Sequence, residues 1–212
     1  MDLLLNSLVV VATVLGSWMA FPQTRRLVRT RRVDGVSATW IGVSIAINAW
    51  WLAYAFAADV WAVVPVSLLS LVLYGVMGLV YTASVGRRAV LGISAGCFGL
   101  GMIPVPFLVV GGWTLAGVAV GFSYGLQLLP AVVAACRTSD LAGVSPATWL
   151  IAFVEAALWL VYGAGVGDPA LLLAGGVGVV MASIILGRLA ATGHRPFVAI
   201  DPRRRAAAVV AP

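Results

Sequence analysis

The chain has no lysine, one histidine and two cysteines, and only 9% of its 212 residues are charged. A soluble domain of this size carries about 25% charged residues, so an ordinary water-facing surface is excluded. Cys97 and Cys136 are too few for a disulfide framework and are expected as free thiols. His194 has no Cys/His ligand spacing around it, so neither a metal nor a cofactor is expected. Paired carboxylates, a phosphate loop and a Ser/His/Asp set are missing too, and the chain is not expected to be an enzyme. What is there is apolar: 62% of residues are hydrophobic, and the mean hydropathy is +1.08. This composition points to an all-α integral membrane protein.

A span needs about 20 apolar residues to cross the hydrocarbon layer. Seven such stretches can be drawn, at 3–22, 38–57, 60–82, 89–110, 113–135, 146–165 and 169–190. The first begins Met1-Asp2 without a basic n-region and ends without a small-x-small site, which favours a span over a cleaved leader. All 13 positive charges are arginine, and they fall on alternate connections. Arg25, Arg26, Arg29, Arg31 and Arg32 follow the first span, Arg87 and Arg88 the third, and Arg137 the fifth. Arg188 stands at the end of the seventh, and Arg195 and Arg203 to Arg205 follow it. Basic short loops stay in the cytoplasm, so the expected topology has the amino terminus outside and the carboxyl terminus cytoplasmic, in the plasma or inner membrane. Topology and attraction to anionic lipid account for this charge, so no nucleic-acid partner is expected.

The sequence also repeats itself. Laid on itself at one fixed offset, it places Pro22 on Pro130, Arg29-Thr30 on Arg137-Thr138, Gly35-Val36-Ser37 on Gly143-Val144-Ser145, and Trp51-Leu52-x-Tyr54 on Trp159-Leu160-x-Tyr162. From 29 to 54 that gives 9 identities in 26 positions without a gap. Two copies of one unit set the fold. Three crossings reverse a chain, so a single extra helix restores direction and leaves the copies parallel. The expected plan is 3+1+3: a three-helix repeat at 1–84, a linker helix at 85–111, a second repeat at 112–191 and a basic, disordered cytosolic tail at 192–212. The linker reads Gly96, Gly99, Gly101, Pro104 and Pro106, which suits close packing against one unit, although an ordinary lipid-facing span would read the same way.

Pro22-Gln23 at the end of the first helix, the basic loop, Gly-x-Ser opening the second helix and Trp-x-x-Tyr near its far end resemble the PQ-loop superfamily. With parallel repeats and a linker, the chain is similar to the SWEET sugar transporters, whose half-size relatives are the SemiSWEETs. The resemblance covers about residues 3–190. It implies two bundles in the spatial order first, third, second helix, with a substrate cavity on the pseudo-two-fold axis near mid-membrane. It places pocket tryptophans at Trp51 and Trp159. It would place pocket asparagines where this chain has Ser67 and Gly175, and gate prolines at Pro22, Pro130 and Pro146, with Ala38 in the fourth place. Pro-Gln survives once, as Pro22-Gln23; the second copy reads Pro130-Ala131.

A proline inside a helix frees a carbonyl and leaves a bend, which suits a hinge, with Gln23 as a nearby donor; Pro22 and Pro130 would equally serve as helix terminators. Trp51 and Trp159 could be interfacial anchors, as Trp18, Trp40, Trp61, Trp113 and Trp149 near span ends are taken to be. In the pocket reading their faces stack on a substrate. Glu155 is the one ionisable side chain deep in a span, four residues before Trp159 and so on its face; it either faces a cavity or bonds between helices. Asn48, three residues before Trp51, and Gln127 are further candidates. The function expected is alternating-access transport of a small polar, sugar-like solute across the bilayer, with a homo-oligomer left open. Alternatives are a proton-coupled amino-acid or zwitterion carrier of the PQ-loop type, with Glu155 as the coupling group, and a sorting receptor of the same fold, which would want arginines inside the bundle.

Overall fold

The structure, a computed structural model, describes residues 2–33, 36–137, 141 and 144–193. Gly35, Gly143 and the tail beyond Gly193 therefore lie outside the described residues. Among the described residues the chain forms seven α-helices and two short 3-10 turns, with no strand: α1 (Asp2–Thr30), α2 (Ala38–Ala57), α3 (Val64–Val85), α4 (Arg87–Phe98), α5 (Pro104–Arg137), α6 (Pro146–Val166) and α7 (Pro169–Ala191). All but α4 are long and apolar enough to cross a membrane, which fits a multi-pass membrane protein. The outer surface agrees. Large apolar side chains such as Leu79, Leu91, Phe98, Val109 and Val110 point outward, a pattern that suits lipid rather than water.

The helix ends follow local chemistry. Ser37 caps α2 by accepting from the Trp40 amide, and Ser145, its counterpart in the second copy, caps α6 by accepting from the Thr148 amide, both at 3.3 Å. At the far ends the correspondence holds again: Asp59 after α2 and Gly167 after α6 both take left-handed backbone, with φ of 56° and 73°. Asp168 caps α7, accepting from the Leu171 amide at 2.8 Å.

Packing sets the order of the helices. α3 packs against both α1 and α2, and α7 against both α5 and α6. The two groups meet crosswise, α1 on α6 and α2 on α5, while α4 lies along α2. Small residues make the close approaches possible: a side chain on Gly96 would run into the Thr39 carbonyl, and one on Gly42 into the Ile93 carbonyl.

Two expectations need correcting. The first helix does not stop at Pro22 but runs through it to Thr30, so Arg25, Arg26 and Arg29 ride on its last turns instead of on a loop. A hydropathy boundary marks where lipid ends, and a helix can continue into water. The segment 85–111 is also not one helix. α4 ends at Phe98, a 3-10 turn covers Leu100–Met102, and α5 begins at Pro104. Gly111 and the left-handed Gly112 (φ 62°) then break α5 near its start. Glycine permits these conformations and Pro104 lacks the amide a continuous helix would use. The Gly101 carbonyl accepts instead from the Trp50 indole at 2.8 Å. Gly92 meets Ala38 and Gly101 meets Ala46, so this broken segment runs in the direction of α2. Past the break α5 returns, with Gly117 against Tyr54 and Gln127 against Ser44.

Candidate functional site

A cavity of about 220 Å³ sits at the centre of the molecule, with walls from every long helix and none from α4. It gathers Trp51, Trp159, Asn48, Glu155, Ser67, Gly175 and Gln23, together with Gln127. Its lining follows the repeat closely. Nine pairs of lining residues stand at the same offset that carries Pro22 onto Pro130: Gly16 and Tyr124, Met19 and Gln127, Ala20 and Leu128, Ile47 and Glu155, Asn48 and Ala156, Trp51 and Trp159, Val63 and Leu171, Val66 and Ala174, Ser67 and Gly175. The four lining residues without such a mate, Gln23, Trp40, Ser70 and Tyr74, all belong to the first copy. The position matching Glu155 is thus Ile47, and Asn48 matches Ala156.

The polar groups are specifically tied. Trp159 Nε1 donates to Glu155 Oε1 at 2.7 Å, one helical turn apart on α6. Both side chains are buried. Among the described residues Glu155 Oε2 has no hydrogen-bonding partner. Gly16 of α1 lies directly against this carboxyl group; a Cβ there would sit 3.0 Å from Oε1. On the opposite wall Gln127 Nε2 donates to Ser44 Oγ at 2.6 Å, joining α5 to α2. Asn48 Nδ2 turns to its own helix and donates to the Ser44 carbonyl at 2.8 Å, which leaves its amide oxygen for the cavity. Trp51 and Trp159 each meet a tyrosine edge-on three residues later, Tyr54 and Tyr162, with ring centroids 6.0 Å apart in both copies.

Gly175 lines the cavity for a packing reason. A Cβ at that position would lie 2.5 Å from the Leu160 amide nitrogen and 2.8 Å from the Ala156 carbonyl, so α6 and α7 approach too closely for any side chain. Ser67, its mate, is buried on α3. The prolines take two kinds of position. Pro22 and Pro130 lie inside α1 and α5, where each removes a helix hydrogen bond. Pro146 is the first residue of α6, where no such bond exists to lose.

Two features escape the sequence reading. Trp40, taken as an interfacial anchor, lines the cavity and packs edge-on against Tyr74 with centroids 5.3 Å apart. The spacing of Trp40, Ser44, Asn48 and Trp51 puts all four on one helical face and would have found it. The second is a bond between the two groups of helices: the Tyr54 hydroxyl donates to Asp168 Oδ2 at 2.8 Å, both residues buried. At the other end a further cavity of about 400 Å³ adjoins the first, shares Gln23, Trp40 and Gln127 with it, and reaches Ser37 and Pro130 at the arginine-bearing helix ends. Among the described residues no three of His, Cys, Asp and Glu converge as metal ligands. No family model and no curated protein matches the chain, so its function rests on the geometry of its own residues.

Proposed function

We propose that this chain is a membrane transporter that moves a small polar solute by alternating access, built as two parallel three-helix units joined by α4 and the broken segment after it. The observation that carries this reading is the pairing of the cavity lining at the single offset of the sequence repeat. A site made from equivalent positions of two copies lies on the axis between them, where rocking one unit against the other exposes it to either side in turn. The crosswise contacts of α1 with α6 and α2 with α5 support that axis. So does the contrast between the two ends: Tyr54 bonds Asp168 at one, and towards the other the adjoining cavity reaches Ser37 and Pro130. With the arginines cytoplasmic, the arrangement corresponds to a state closed to the outside, in a plasma or inner membrane.

The cavity of about 220 Å³, with a further one of about 400 Å³ adjoining it, has room for a small solute. With Ser67 and Gly175 in place of two amides, a hexose would lose partners worth about 1 kcal/mol each. Glu155 on the cavity wall favours a proton-coupled variant as the second reading. A receptor for anionic peptide tails is disfavoured, because among the described residues no arginine lines the cavity. The test is uptake of sugars and amino acids by proteoliposomes, with and without a pH gradient. Saturable uptake that falls in Trp51→Ala and Trp159→Ala supports the reading, and flux no greater than in protein-free vesicles contradicts it.

A further inference from the structure

We propose that the cavity selects a small organic cation, an ammonium or quaternary ammonium compound, with Glu155 as its counter-ion and Trp51 and Trp159 as its aromatic walls. The inference rests on the transporter reading for the site's purpose, and it adds the chemical class of what binds there.

Glu155 is the only ionisable acid or base on the cavity wall apart from tyrosine hydroxyls, and no arginine or histidine faces it there among the described residues. A buried carboxylate without a partner is costly, and an anionic solute would add to that cost. A zwitterion would bring its own carboxylate into a wall with no basic group to receive it. With a neutral solute the buried carboxyl group would be favoured in its protonated form, whereas a cation pairs with the carboxylate. One oxygen of Glu155 is already held by the Trp159 indole at 2.7 Å, which fixes the carboxyl group and leaves Oε2 for the ligand.

The walls point the same way. Five aromatic side chains line the cavity: Trp40, Trp51, Trp159, Tyr74 and Tyr124. Aromatic faces attract cations through the ring quadrupole, most strongly for tryptophan and most usefully for a quaternary ammonium that cannot donate hydrogen bonds. The far end from the arginines carries Asp59 and Asp168 and, among the described residues, no basic group, so the approach from that side is also negative.

The experiment compares choline with its uncharged isostere 3,3-dimethylbutan-1-ol and with the zwitterion glycine betaine, titrated against tryptophan fluorescence of the full chain in nanodiscs. Choline should bind about tenfold or more tightly than either. Glu155→Gln keeps an acceptor for Trp159 and should bring choline down to about the level of the isostere. Trp51→Leu should weaken choline more than Trp51→Phe does, which separates loss of the ring from loss of the fold. Equal or tighter binding of the isostere or of betaine, or no saturable binding of choline, overturns the proposal. Choline counterflow in proteoliposomes separates the two claims. Saturable, Glu155-dependent binding without counterflow supports the cation site and sinks transport; sugar counterflow that choline does not inhibit supports transport and overturns the cation site.

Discussion

Gly175 illustrates how a single residue can be misjudged from a motif alone. The resemblance makes this place an amide, and an engineer would restore it. The backbone of Leu160 and Ala156 occupies the space that any side chain would need. Gly175→Asn is therefore expected to destabilise the protein by about 1–3 kcal/mol, the usual cost of overpacking, without improving solute binding. Thermal unfolding in detergent checks this, and an unchanged melting temperature would contradict the packing account. Tyr54 invites the opposite experiment. Tyr54→Phe removes one hydrogen bond to a buried carboxylate, worth about 1.5–3 kcal/mol, while Asp168 keeps the Leu171 amide. In the proposed transporter the loss falls on the end closed to the outside, so a cysteine placed at Leu171 should react faster with an impermeant thiol reagent added from the Asp168 side. An unchanged labelling rate would mean the bond does not hold that end shut.

At the scale of helices the prolines divide by position. Pro22→Ala and Pro130→Ala restore an internal hydrogen bond to α1 and α5, and each should slow solute flux while leaving thermal stability equal or higher. Pro146→Ala, at the first position of α6, should change flux little. Equal effects at all three, measured by initial uptake rates, would remove the hinge interpretation. Much of the helix plan was legible because apolar length and turn residues are local signals; Ser37 and Ser145 announce α2 and α6 directly. The end of α1 was misplaced because arginines 25 to 29 were read as loop, although nothing in a basic stretch prevents a helix from running on into water. The break between α4 and α5 was visible as Gly99, Gly101 and Pro104, but only the Trp50 indole on the Gly101 carbonyl shows how the interruption is satisfied.

For the molecule as a whole, the repeat was the most informative feature of the sequence, because its offset also organises the cavity. It pairs Trp51 with Trp159, whose pocket role comes from the resemblance; Glu155 stands out as the one ionisable side chain deep in a span, and helical spacing sets it and Asn48 beside the tryptophans. It could not lead to the Tyr54–Asp168 bond, whose partners are 114 residues apart and not equivalent in the two copies. It gave no mate for Trp40 either, since the second copy has Thr148 there. The orientation makes its own prediction. A cysteine at Asp59 should be labelled by an impermeant reagent from outside the cell and one at Arg88 only after the membrane is opened; the reverse pattern would overturn the sidedness assigned from the arginines.

The central claim is that one cavity serves both sides of the membrane, and it can be tested before any substrate is known. Val66 lines the cavity from α3 and, being partly exposed, leaves room for a thiol reagent. Val66→Cys, with Cys97 and Cys136 replaced by serine, is reconstituted in proteoliposomes of fixed orientation and treated with an impermeant thiol reagent on one side at a time. Alternating access predicts labelling from each side, at rates that change in opposite directions in Tyr54→Phe. Labelling from one side only, or from neither, would contradict the account.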